Sequence, residues 1–284
     1  MVRFGMHSSL WTARWIPATV EKLVPEAARH GLSVIEIALL APETIDVGHS
    51  RAILAEHGIA PTCSLGLPKD VTAPLHPNKA EAFLMRALEV AHALGSTTLS
   101  GVTYATIGYT SGKPPAEQEY ANIAKALTPV ARRAADLGMT LGLEPCNRYE
   151  THLLNTAEQA VRLIERIGEP NLMIHLDTYH MNIEEKGFRH GIHSAGEHLR
   201  YMHLSESDRG VPGTGTVDWD ATFKALAETR FDGDMVIESF VTLPPEIARA
   251  LSVWRPVADS AEQVLREGVP FLQGLARRHG LLQG

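Results

Sequence analysis

Residues 140–177, TLGLEPCNRYETHLLNTAEQAVRLIERIGEPNLMIHLD, contain one complete unit of the chain's architecture. A short apolar run, Thr140–Glu144, leads through a polar loop into Thr156–Ile167, where apolar residues recur at helical spacing. Gly168 closes that stretch as a residue able to take the left-handed cap conformation, and Leu172–Asp177 begins the next apolar run. Strand, loop, helix, strand is the pattern of a βα unit on a parallel sheet.

The unit recurs in both directions. Arg3–Ser8, Val34–Leu39, Pro61–Leu65, Thr97–Val102, Tyr201–Ser205 and Asp234–Ser239 are further short apolar or β-branched runs, making eight in all. Between them Lys79–Leu94, Tyr120–Leu137 and Trp219–Thr229 have helical period, and Gly31, Gly58, Gly95 and Gly138 stand where helix caps are expected. Eight units predict a closed (β/α)8 TIM barrel, an α/β fold occupying residues 1–284 as a single domain. A doubly wound open sheet is disfavoured: no Gly-rich dinucleotide fingerprint follows the first run, and no Walker A sequence occurs.

The chain has 284 residues, of which 44% are hydrophobic and 21% charged, the balance of a globular protein with a sizeable core. Its formal net charge of −7 argues against a nucleic-acid partner, which would call for a basic face. The start, MVRFGMHSSLW, lacks the apolar run of a signal peptide, and no apolar stretch reaches membrane-spanning length, so a cytoplasmic protein without a membrane partner is expected. Two cysteines, Cys63 and Cys146, are too few for a disulfide framework, and reduced, inert thiols are expected.

In a barrel of this kind chemistry is built at the C-terminal ends of the strands. Four consecutive runs, the fifth to the eighth, carry Glu144, Asp177, His203 and Glu238 there. Any one of them alone reads equally well as a helix cap or a satisfied buried histidine. Together they do not, because three converging carboxylates without a counter-charge raise one another's pKa and call for a bound cation. Carboxylate oxygens plus one imidazole nitrogen form a hard donor set, suited to Mn²⁺, with Mg²⁺ or Co²⁺ as alternatives. Four protein ligands leave two octahedral positions, which adjacent carbonyl and hydroxyl oxygens of a ketose could fill. Glu144 and Glu238, three strands apart, then form a pair of bases approaching a sugar from different sides, which suits inversion at one carbon better than movement of a carbonyl. Three carboxylates and a divalent ion leave about −1 before Glu150 is counted, so an unphosphorylated sugar is expected.

Four segments, LEPCNRYETHLLNT (143–156), HLDTYHMNIEE (175–185), MHLSESDRGVPGTG (202–215) and VIESF (236–240), resemble the ketose 3-epimerases acting on D-tagatose, D-allulose (psicose) or L-ribulose, within the xylose isomerase-like TIM barrels. The resemblance runs over nearly the whole chain and is most specific in HLDTYHMNIEE; GMHSSLW at the start is a weaker match. It implies a metal set of Glu144, Asp177, His203 and Glu238, with Glu144 and Glu238 as the acid/base pair at C3. It also implies that Glu150, His180 and Arg209 bind the O1 to O3 end of the ketose, and it favours a homodimer or homotetramer. His7 stands where D-allulose-type relatives often carry an aromatic residue, which bears on substrate preference, and Trp15 and Phe240 are expected as apolar walls for the distal carbons. The alternative on the same metal site is a hydroxypyruvate-type or aldose–ketose isomerase. Relatives acting on hydroxypyruvate tend to carry Gln where His203 stands, which leans towards the epimerases. An endonuclease IV-like nuclease would need more metal-binding histidines and a basic face.

Overall fold

A computed structural model of the chain describes residues 2–241 and 243–283. Among these, eight parallel strands pair in chain order: β1 (Arg3–His7), β2 (Val34–Ala38), β3 (Ala60–Gly66), β4 (Thr98–Val102), β5 (Thr140–Leu143), β6 (Leu172–Asp177), β7 (Leu199–Leu204) and β8 (Asp234–Ile237). β8 pairs back onto β1, so the sheet closes and the expected barrel is present. At that seam Arg3 grips Asp234 with two parallel hydrogen bonds of 2.7 Å, Nε to Oδ1 and Nη2 to Oδ2.

Helices alternate with the strands: α1 (Pro17–Arg29), α2 (Val47–Glu56), α3 (Pro77–Leu94), α4 (Glu117–Asp136), α5 (Ala157–Ile167), α6 (Thr178–Glu184), α7 (Phe188–Ala195), α8 (Trp219–Glu228), α9 (Pro245–Ala250), α10 (Ala261–Gln263) and α11 (Val269–Arg278). The local chemistry that starts and stops them is plain in α5. The Thr156 hydroxyl accepts from Gln159 N–H, Gln159 Oε1 accepts from Thr156 N–H, and Gly168 ends the helix at φ 76°. The C-terminal segment packs on the barrel's outside, with Leu272 and Leu275 buried and Phe271 edge-on to Trp219 at 6.3 Å. No described helix is long and apolar enough to cross a membrane.

Strand side chains alternate between the barrel interior and the helical layer, so residues two apart share a side. Val34 and Glu36 on β2, Met173, His175 and Asp177 on β6, Tyr201 and His203 on β7, and Val236 followed by Glu238 on β8 therefore form interior ladders. At their lower rungs Val34, Met173, Tyr201 and Val236 pack as a small apolar cluster separate from the main core between sheet and helices. The upper rungs are polar, and each ladder delivers its last side chain to the C-terminal rim.

On β5 the rung below Glu144 is Gly142, and space dictates its identity. A β-carbon there would press on Ser100 Oγ and lie 2.6 Å from Met173 Cε. Gly142→Ala is expected to cost about 1–3 kcal/mol through overpacking. Chemical denaturation checks this, and an unchanged midpoint would show that the interior yields at this layer.

Candidate metal centre and active-site cleft

Glu144, Asp177, His203 and Glu238 meet at the rim with every side chain buried. His203 Nδ1 lies 3.6 Å from Glu144 Oε1, 3.6 Å from Glu238 Oε1 and 4.0 Å from Asp177 Oδ2. Metal–oxygen bonds of about 2.1 Å in an octahedron place neighbouring donors roughly 3.0 Å apart and opposite ones about 4.2 Å apart, and donor atoms of Asp177, His203 and Glu238 all lie within 4.8 Å of one another, with Glu144 joined to the set through His203. His203 Nδ1, Asp177 Oδ2 and Glu238 Oε2 are buried without any hydrogen-bond partner, which is costly unless something else occupies them. Asp177 Oδ1 is accounted for, since it accepts from Tyr179 N–H at 2.7 Å and caps α6. The donor set fits a hard divalent cation.

Electrostatics point the same way. Burial pushes the Glu238 carboxyl up to about 8, with Asp177 and Glu144 adding to the rise while His203 and Arg209 oppose it. Burial raises Glu144 likewise, with Asp177 and Glu36 adding to the rise against the pull of His203. Burial alone would lower His203, yet Glu36 and Glu238 hold it well above the usual histidine range. The surrounding carboxylates thus favour positive charge at this point of the pocket.

The other face of the His203 ring meets a residue that the sequence reading passed over. Nε2 lies 2.7 Å from Glu36 Oε2, and because a carboxylate only accepts, Nε2 carries the proton and Nδ1 faces the carboxylates. Tyr201 donates its hydroxyl to the same oxygen at 2.7 Å, and Thr62 in turn donates to Tyr201 at 2.7 Å. Burial would raise Glu36, but His203 and His7 carry it below the usual carboxylate range. His175 is wholly buried in the barrel interior, with Nδ1 bonded to Ser100 Oγ at 3.0 Å and its ring 4.0 Å from that of His203.

Glu150, His180 and Arg209 come together beside this cluster. His180 Nδ1 accepts from Asn147 N–H at 3.2 Å and from the Asn147 amide at 2.9 Å, so the proton sits on Nε2. That nitrogen lies 3.9 Å from both Glu144 Oε1 and Asp177 Oδ2, and 3.2 Å from Arg209 Nη2. With Nε2 protonated both nitrogens are donors, and one acceptor oxygen placed beside them can take a hydrogen bond from each. Asn147 also donates to Glu150 Oε1 at 3.0 Å, and Arg209 Nη1 stands 3.6 Å from that oxygen. The Arg209 guanidinium is buried between the Tyr179 ring at 4.1 Å and the Phe240 ring at 5.0 Å, with Nε and Nη1 unpartnered.

Arg209 owes its place to the Gly-rich loop after β7. The buried Glu206 accepts from Ser207 N–H at 2.7 Å, Gly213 N–H at 2.8 Å, Val217 N–H at 3.1 Å and Trp219 Nε1–H at 2.9 Å. Its backbone carbonyl takes Arg209 N–H at 2.8 Å, where Arg209 turns into the left-handed region at φ 62°. The signal in the sequence was an acid followed by a glycine-rich stretch, which supplies free backbone donors to a carboxylate rather than to a phosphate.

A cleft of about 260 Å³ opens over Glu144, His203 and Glu238, lined also by His7, Ser64 and Phe240 and by the apolar side chains of Leu40, Ile107 and Leu251. His7 is buried, and burial drives its imidazole down to about 4. Trp15 departs from the expected place. It lines an adjoining cleft with Ile16, Ala41 and Ile45, because its indole N–H is tied to Ser50 Oγ at 2.9 Å on α2. Glu184 and Glu185 fall at the end of α6 and just after it. Glu184 receives Arg148 through its backbone N–H at 2.7 Å and both Nε and Nη2 at 2.9 Å, while Glu185 accepts from Ala157 N–H at 2.8 Å. Cys146 is buried, and burial holds its thiol well above the usual range, as suits an inert side chain.

Residues 24–272 match the family model of the xylose isomerase-like TIM barrels. The chain is 40% identical over 268 residues to a ketose 3-epimerase of Arthrobacter globiformis, covering 92% of each protein. It is 37% identical over 278 residues to an L-ribulose 3-epimerase of Methylomonas sp., covering 96% of this chain and 97% of that one. Among solved structures, it superposes on a D-allulose 3-epimerase from Methylomonas sp. in complex with D-allulose with a TM-score of 0.91, at 35% identity over 96% of both chains.

Added Mn²⁺ at a hundredfold excess over its Kd is expected to stabilise the fold by about 2.7 kcal/mol, roughly 5 °C in Tm at this chain length. Chelation should reverse the shift and Asp177→Asn should abolish it. Calorimetry that found no shift in the wild-type protein would refute a metal centre.

Proposed function

Since this chain belongs to the ketose 3-epimerases of the xylose isomerase-like TIM barrels, and so to the isomerase class of enzymes, we propose that it epimerises free ketoses at C3 by a two-glutamate proton transfer. The observation that carries the reading is that Glu144 and Glu238 both reach the same imidazole, each 3.6 Å from His203 Nδ1, from strand ends three positions apart in the ring. One carboxylate removes the C3 proton, and the other returns a proton to the opposite face of the carbon. Asp177 and His203 serve to hold a cation; Glu144 and Glu238 hold it and also move protons.

A divalent metal bound by these four residues, Mn²⁺ in our reading, supplies Lewis-acid polarisation of the ketose carbonyl. His180 Nε2–H and the unpartnered Arg209 N–H groups donate to the oxygens at the O1 to O3 end, and Glu150 accepts from a substrate hydroxyl while anchoring Arg209. His7 and Phe240 border the remainder of the sugar. Glu36 and Glu150 add two negative charges to the pocket and Arg209 returns one, so a phosphate dianion meets net repulsion and an unphosphorylated ketose is the substrate class.

Glu238→Gln is expected to retain metal and ketose binding while C3 proton exchange with solvent falls by orders of magnitude, read by NMR with L-ribulose, D-tagatose and D-fructose in deuterated buffer. Near-normal exchange would remove Glu238 from the proton-transfer pair.

A further inference from the structure

Glu36 is a carboxylate 1% exposed at the centre of the barrel, and proton transfer gives it no task. Burying such a charge is rarely favourable for stability alone, since an apolar side chain of similar size often does as well or better. It is not placed to bind the cation. Its Oε2 already accepts from His203 Nε2–H and Tyr201 O–H, on the side of the imidazole away from Glu144, Asp177 and Glu238. Its contacts instead fix the ring that is so placed. Nε2–H donated to Glu36 leaves the Nδ1 lone pair free, and the Thr62–Tyr201 chain stops the carboxylate from turning.

The second oxygen has a related position. Glu36 Oε1 is buried without a hydrogen-bond partner, 3.6 Å from His7 Nε2. His7 Nδ1 accepts from Ser9 N–H at 3.2 Å, so its Nε2 bears the proton and points towards the carboxylate. One side chain on β2 therefore sets the tautomer of the imidazole at the candidate metal centre and leans on that of the cleft wall.

On this geometry, and resting on the metal reading above, we infer that Glu36 is the positioning residue of the metal centre, holding His203 in the Nδ1-ligating tautomer and strengthening it as a donor. A carboxylate behind a ligating histidine is worth about 10–100-fold in metal affinity.

The test is the Kd for Mn²⁺ alone, read by the electron paramagnetic resonance signal of the free ion, on wild-type, Glu36→Gln and Tyr201→Phe proteins, with the Tm of each in chelator alongside. E36Q keeps the shape and an acceptor oxygen but removes the charge, and its Kd is expected to rise at least tenfold. Y201F frees the carboxylate without removing it, and a rise of about threefold is expected. A merely structural role would lower the Tm in chelator and leave Kd unmoved. Folded E36Q with a Kd within twofold of wild type overturns the inference, and if E36Q does not fold, unchanged affinity in Y201F does so. Failure of the wild-type protein to bind Mn²⁺ overturns the metal reading itself, and this inference with it.

Discussion

The organising constraint is uncompensated negative charge in a buried place. Glu36, Glu144, Glu150, Asp177 and Glu238 all end within the barrel's upper half, and the wholly buried guanidinium of Arg209 is their permanent cation. Separately, each could be protonated or bonded to backbone donors, as Glu206 is in the neighbouring loop. Together they force His203 to hold a proton or the site to hold a metal. The unpartnered atoms are where that demand is felt, and the surrounding hydrogen bonds serve to keep them unpartnered by aiming each donor and acceptor elsewhere.

Much of this was legible because strands carry their message locally. Short apolar runs marked all eight strands to within two residues at either end, and glycines marked the helix stops, since turn chemistry and side-chain alternation depend on near neighbours. The four rim residues stood out as polar groups closing apolar runs. His180, Glu150 and Arg209 rested on resemblance alone, and the structure places them in one cluster beside the rim.

What was illegible depends on contacts far apart in the chain. VIEIA on β2 reads as an ordinary alternating strand, and nothing local says that its glutamate meets a histidine 167 positions later. Asn147 stands in a loop 33 positions before His180, and only the fold brings its backbone N–H and amide onto that Nδ1. For Trp15 two clefts adjoin, sharing Ala13, Ala38 and Leu40, and the long-range bond to Ser50 places the indole in the one beside the rim cluster, which nothing local in the sequence indicates.

The Arg3–Asp234 clasp lies at the opposite end of the strands from the chemistry. The barrel is thus sealed at its floor while its ceiling is left to the loops. Remodelling those loops for a sugar of another length or stereochemistry need not loosen the seal, and weakening the seal need not move a reacting group. A scaffold with that separation can trade substrates over evolutionary time without renegotiating how it folds.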